Sequence, residues 1–165
     1  MYHPIELKIP RIDWFILIYF SAYISFFPPL FLFSFEKQLK VSKALILSGF
    51  LGGIIFLLFP TQLGYERNIE EIKIFKNFYL FLWGQDRPST LMPSFHVAMS
   101  AIFIFPSIEY FKKYYVRIFL SIWLFLISIS IVLVHQHHLI DIPTGLILAK
   151  ISLKLGEKKL GVLEF

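Results

Sequence analysis

Three of the five histidines in this 165-residue chain fall within seven residues, His135-Gln136-His137-His138-Leu139-Ile140-Asp141. Ionisable side chains beside apolar, membrane-length segments are costly to keep, so they count first as a site. His137 and Asp141 stand at i and i+4, one turn apart if the segment is helical. A carboxylate beside an imidazole accepts its N–H, fixes the tautomer and makes the other ring nitrogen a better nucleophile or base. A fourth histidine, His96, follows Pro93 and Ser94 at the start of another apolar run. A histidine there can give a proton to a departing oxygen. A helix start also offers N–H groups that bind phosphate. Two histidines, a carboxylate and a helix N-terminus suit phosphoryl transfer: one ring attacks phosphorus, the other protonates the leaving group, and no metal or other cofactor is required. Two other readings of the same residues stand beside this one. Asp141, ahead of Ile142-Pro143-Thr144, suits a helix start. His135, His137, His138 and Asp141 are also donor types that zinc accepts.

The elements that must position these residues are apolar. Hydrophobic residues make up 57% of the chain, charged residues 16%, and mean hydropathy is +0.70. A soluble core of this size cannot hide that much apolar surface, so part of the solvent must be lipid. The sequence predicts an all-α integral membrane protein. It has one domain over residues 1–165, with about five transmembrane helices and one interfacial amphipathic helix. The chain lacks cysteine, which excludes disulfides and thiolate metal sites. No cleavable leader is expected: the first apolar run is too long and lacks a small-residue cleavage site.

Met1 to Arg11 reads as a polar arm. Trp14 to Phe35 is the first span, kinked at Pro28-Pro29. Glu36 to Lys43 reads as a basic loop. Val41 to Phe59 is the second span, with Gly49, Gly52 and Gly53 as a face for close helix approach. From Glu66 to Trp83, charged residues fall on one helical face and Ile69, Ile72, Phe75, Tyr79 and Leu82 on the other, which predicts the interfacial helix. Ser94 to Phe111, kinked at Pro106, and Val116 to Val134 are the third and fourth spans. Ile142 to Leu155 is a short fifth.

Five spans put alternate loops on opposite sides. One side carries Lys37, Lys40, Lys43, Lys112, Lys113, Arg117, Lys150, Lys154, Lys158 and Lys159; the other carries Lys8, Arg11, Arg67, Lys73, Lys76 and Arg87. The richer side belongs in the cytoplasm. His96 and His137 then share the opposite, extracytoplasmic face. The net charge of +5 reads as orientation and attraction to anionic headgroups rather than as a nucleic-acid surface.

Pro93-Ser94-Phe95-His96 resembles the Pro-Ser-x-His motif of the type 2 phosphatidic acid phosphatase superfamily. Ser130, five residues from Val132 to Gln136, then His137, three residues and Asp141 resemble the spacing of its last motif. The similarity covers about residues 44–153. It implies that His137 is the nucleophile of a phosphohistidine, that Asp141 orients it and that His96 is the general acid. It also implies that Ser94 and nearby backbone hold phosphate oxygens, while His135 and His138 match no catalytic position and line the pocket at most. The chain departs from the pattern at Ile131, where the superfamily has arginine, and at Leu80, where its first motif has lysine. Arg87-Pro88 is kept, so Arg87 and Arg67 are the phosphate-binding cations to expect. The last motif without its arginine looks closer to the branch holding inositol phosphorylceramide synthases and sphingolipid phosphotransferases.

The expected activity is a membrane lipid phosphate phosphatase on a phospholipid or polyprenyl phosphate, at the outer face of a bacterial inner membrane. A phosphotransferase with an alcohol acceptor and a non-catalytic protein keeping the fold are the alternatives. Nothing in the pattern speaks to oligomeric state.

Overall fold

A computed structural model describes residues 3–85 and 89–157. Among them every regular element is helical. The first span is built from α1 (Phe15–Ser21), a 3-10 stretch (Ala22–Phe26) and α2 (Phe27–Leu32). The distortion precedes the two prolines rather than sitting on them. Pro28 and Pro29 have no N–H to give the carbonyls one turn back, Ile24 and Ser25, so the turn before them tightens. Then come α3 (Phe35–Leu58), α4 (Lys76–Gln85), α5 (Phe95–Tyr110), α6 (Tyr114–Leu133) and α7 (Asp141–Glu157).

Three segments are long and apolar enough to cross a membrane: Phe15–Leu32, Phe35–Leu58 and Tyr114–Leu133. α5 is apolar but shorter. α7 packs beside α3 and α5 as the fifth rod. Each rod buries one stripe. In α3 the buried residues are Val41, Ala44, Ser48 and Gly52, and in α7 they are Gly145, Leu148, Ala149, Ser152 and Gly156. The opposite faces hold large apolar side chains with no protein cover, such as Leu57, 85% exposed, and Ile46, Phe50, Phe119 and Phe125. Apolar faces of this extent belong against lipid. The chain is an integral membrane protein.

Two expectations change. The segment Glu36–Lys43 is not a loop. α3 begins at Phe35, and its first turns carry Lys37, Lys40 and Lys43 past the apolar stretch. Lys40 pairs with Glu36 at 3.1 Å, and Lys37 donates to the Pro106 carbonyl at 3.1 Å over the Phe33 ring. The amphipathic helix is also shorter than its periodicity suggests. Residues 66–75 are irregular, and helix starts only at Lys76. The Asp13 carboxylate takes the Lys73 and Ile74 N–H groups at 2.9 and 3.4 Å, and Phe75 has φ 61°. Both features are incompatible with a continuing helix.

α5 is the buried centre, with α3, α6 and α7 around it. One apolar cluster, Ile102 and Leu148 among it, fills the bundle, with Ala44, Ala98, Ala101 and Ala149 letting the backbones approach. A second roofs one end: Ile16 and Tyr19 of α1, Tyr79 and Leu82 of α4, Val97 of α5, Ile131 and Val132 of α6. The histidines lie under that roof. Of the three α3 glycines, only Gly52 makes a close approach, since an added Cβ would meet the Phe95 ring at 2.5 Å, whereas Gly49 and Gly53 face open space.

Candidate active site

The site assembles where α6 ends and α5 and α7 begin. α6 stops in a Schellman motif. Gln136 N donates to Ile131 O at 3.0 Å, His135 N donates to Val132 O at 2.9 Å, and His135 takes the left-handed conformation with φ 56°. That position usually holds glycine. The turn folds the chain back, and His137 N also donates to Ile131 O at 3.0 Å, which aims the His137 ring inward.

His137 and Asp141 meet, although residues 137–140 between the helices form a turn and not the helical turn that their spacing suggests. His137 Nδ1 lies 3.2 Å from Asp141 Oδ2 and 3.1 Å from the Leu91 carbonyl. Both neighbours only accept, so the proton sits on Nδ1 and Nε2 carries the lone pair. Nε2 faces Ser94 Oγ at 3.5 Å. Asp141 Oδ2 also takes the His138 N–H at 2.9 Å. As the first residue of α7, Asp141 opens the helix, but its carboxylate is turned back to His137 and His138.

Ser94 is fully buried at the N-cap of α5, where its Oγ accepts from Val97 N at 3.4 Å. Its own N–H donates to the Asp141 carbonyl at 3.3 Å, so the start of α5 is tied to the start of α7. Gly145 permits this. A Cβ there would meet the Ser94 carbonyl oxygen at 2.7 Å and Val97 Cβ at 3.1 Å.

His96 lies one residue into α5, stacked on the Tyr19 ring at 3.8 Å. Its Nε2 donates to the Tyr19 carbonyl at 2.9 Å, so the neutral ring keeps its lone pair on Nδ1. His96 and His137 line one cavity of about 270 Å³, with Tyr19, Tyr23, Phe26 and Phe95 among its walls. A cavity lined by aromatic side chains and two imidazoles suits a ligand with an apolar tail and a polar head.

The remaining sequence candidates divide. Arg67 reaches the histidine turn, donating from Nη2 to Gln136 Oε1 at 3.0 Å beside the Trp83 ring, but it is not among the cavity walls. Arg87 lies outside the described residues. Gln85 and Thr90, on either side of it in sequence, line the cavity. Leu80, at the place of the expected lysine, is half exposed, while Ile131, at the place of the expected arginine, is fully buried among apolar side chains.

His135 and His138 do not line the cavity; they turn the other way. His135 Nε2 donates to the Ile9 carbonyl at 3.0 Å, and His138 Nε2 accepts from Gly64 N at 3.1 Å. Tyr65 stacks on both rings. The four donors considered for zinc therefore do not converge, and among the described residues no group of three His, Asp or Glu side chains does. Sequence reasoning missed Glu6, buried against His138, and Gly145. A carboxylate inside an otherwise weakly charged arm was the only signal for the first.

A sequence model described as the PAP2 superfamily matches residues 11–155. Among curated proteins and among solved structures, none matches.

Proposed function

The chain belongs to the PAP2 superfamily, and from that premise we propose that it is a lipid phosphate phosphatase acting through a phosphohistidine on His137. The observation that carries the reading is the state of the His137 ring. Its Nδ1–H is held by Asp141 Oδ2 at 3.2 Å, its Nε2 lone pair faces Ser94 Oγ at 3.5 Å, and the ring lines a cavity together with His96.

In the first step Nε2 attacks phosphorus and the bond to the ester oxygen breaks. Asp141 stabilises the imidazolium that forms. His96 gives a proton to the departing alcohol oxygen. The ring must be doubly protonated for this, and gives its proton from Nδ1 while Nε2 stays on the Tyr19 carbonyl, or from Nε2 once it leaves that carbonyl. In the second step water attacks phosphorus and passes a proton to His96 as the P–N bond breaks; inorganic phosphate leaves and His137 is restored. The Ser94 hydroxyl and the first turn of α5 supply donors for the phosphoryl oxygens, and positive charge comes from Arg87 and from Arg67 once its guanidinium leaves Gln136 Oε1. The aromatic cavity takes the start of the lipid chain. The substrate is a phospholipid or polyprenyl phosphate, and the ten-to-six bias of basic residues supports a site on the extracytoplasmic face of its membrane.

A second reading replaces water by an alcohol, as in the branch holding inositol phosphorylceramide synthases. The apolar Ile131 at the arginine position favours it. Purified protein in detergent, given a panel of lipid phosphates, decides between them. Release of inorganic phosphate with water alone supports the phosphatase, and turnover only with an added alcohol supports the transferase. No turnover of either kind leaves a protein that kept the fold without the chemistry.

A further inference from the structure

The polar arm before α1 lies along the turn that carries His137, and the two run in step. Ile12 N donates to Leu133 O at 2.9 Å, His135 Nε2 to Ile9 O at 3.0 Å, and Leu139 N to Glu6 Oε2 at 2.9 Å. Glu6 is the last and most buried of these anchors, at 6% exposure. Its Oε1 takes the His3 N–H at 3.1 Å within the arm's own capping box, so the carboxylate joins arm and turn. The second oxygen also faces His138 Nδ1 at 3.5 Å. Because Gly64 N donates to His138 Nε2, the His138 proton is on Nδ1, the nitrogen nearer to Glu6. On its far side, the His138 backbone N–H donates to Asp141 Oδ2, the same oxygen that holds His137 Nδ1. The Glu6 carboxylate therefore holds Leu139 and faces the His138 ring on one side, and the Asp141 carboxylate holds the His138 N–H on the other. The left-handed His135 makes such a hold necessary: a non-glycine residue at φ 56° persists only where its surroundings hold it.

We propose that Glu6 is a positioning residue for the nucleophile: through His138 and Leu139 it holds the turn in the one arrangement where Asp141 meets His137 Nδ1. This rests on the phosphohistidine reading. Glu6 touches neither the cavity nor His137, and acts through the backbone between them.

The test uses the full chain in detergent, with short-chain phosphatidic acid as probe. Glu6→Ala should lower kcat by about tenfold while KM stays within about threefold, because the cavity is untouched. Glu6→Gln, which keeps an oxygen for Leu139 N, should recover part of the loss. In an Asp141→Asn background, Glu6→Ala should cost little more, because both act on one contact. Amide exchange across residues 133–140 should speed up in Glu6→Ala while the interior of α7 stays protected. An unchanged kcat, a KM raised as much as kcat falls, or unchanged exchange overturns the proposal. A wild-type protein that turns over no lipid phosphate overturns the phosphohistidine reading alone. The exchange measurement still decides whether Glu6 holds the turn.

Discussion

Asp141 Oδ2 stands 3.2 Å from His137 Nδ1 and 2.9 Å from the backbone N–H of His138, so one carboxylate oxygen sets both the tautomer of the ring and the path of the chain that carries it. Removing its charge should therefore do more than remove one hydrogen bond. Asp141→Asn is expected to lower kcat by about 10²–10⁴-fold with a smaller effect on KM. Steady-state kinetics on a lipid phosphate checks this; an equal loss from KM alone would place Asp141 in binding.

Gly145 is where α7 can touch the start of α5. A methyl group there meets the Ser94 carbonyl oxygen at 2.7 Å, a backbone atom that cannot swing away. Gly145→Ala should destabilise the protein by about 1–3 kcal/mol and pull Ser94 away from His137. Thermal unfolding in detergent and phosphate release should fall together, whereas Gly49→Ala, which meets nothing within 4 Å, should leave both near wild type.

Ile131 occupies the superfamily's arginine position, yet it is fully buried in the apolar roof beside Tyr79, Leu82 and Val97. Restoring the family residue should not restore a phosphate ligand. Ile131→Arg buries an unpaired charge and is expected to cost about 3 kcal/mol or more, read as a lower unfolding midpoint with no gain in turnover. A gain in turnover would show that the side chain can reach the cavity.

The arm and the histidine turn should loosen in acid. Burial holds the His138 and His135 rings below their ordinary value of 6.5. For Glu6, burial works upward, but the N–H groups of Leu139 and His3 and the nearby His138 outweigh it and hold the carboxyl below its ordinary 4.5. Groups that bind protons more weakly when folded make the unfolded state the better proton acceptor, so stability falls as pH drops. The histidine contribution is lost from about pH 6.5 downward, and the Glu6 contribution below about 4.5. Unfolding midpoints should decline between pH 7 and 5, and His138→Gln, whose oxygen can still accept from Gly64 N, should flatten that decline. A midpoint that rises on acidification contradicts this assignment.

Much of the site was legible because its signals are local. The spacing of His137 and Asp141 and the Pro-Ser before His96 identify helix ends, and apolar runs mark the rods that bring those ends together. The misreadings share one cause, which is contact over long sequence distance. Ile69, Ile72 and Phe75 keep a helical period, but the Asp13 carboxylate, some 60 residues away, takes the N–H groups a helix would need. Lys37, Lys40 and Lys43 look like a loop, although α3 simply continues beyond its apolar stretch. His135 and His138 look like partners of His137, but Ile9, Gly64 and Tyr65 draw their rings to the other side. No local pattern announces an arm that packs against residues more than a hundred positions later.

The central claim is that His137 Nε2 becomes covalently phosphorylated. Wild-type protein should be mixed with lipid phosphate labelled in its phosphoryl group, quenched within milliseconds, and its peptides mapped by mass spectrometry at alkaline pH, where a P–N bond survives. The account predicts a label that is lost in acid, located on His137, absent from His137→Gln, and accumulated in His96→Gln when the leaving group is good enough to depart unprotonated. A label on another residue, or His137→Gln turning over substrate at the wild-type rate, would contradict it.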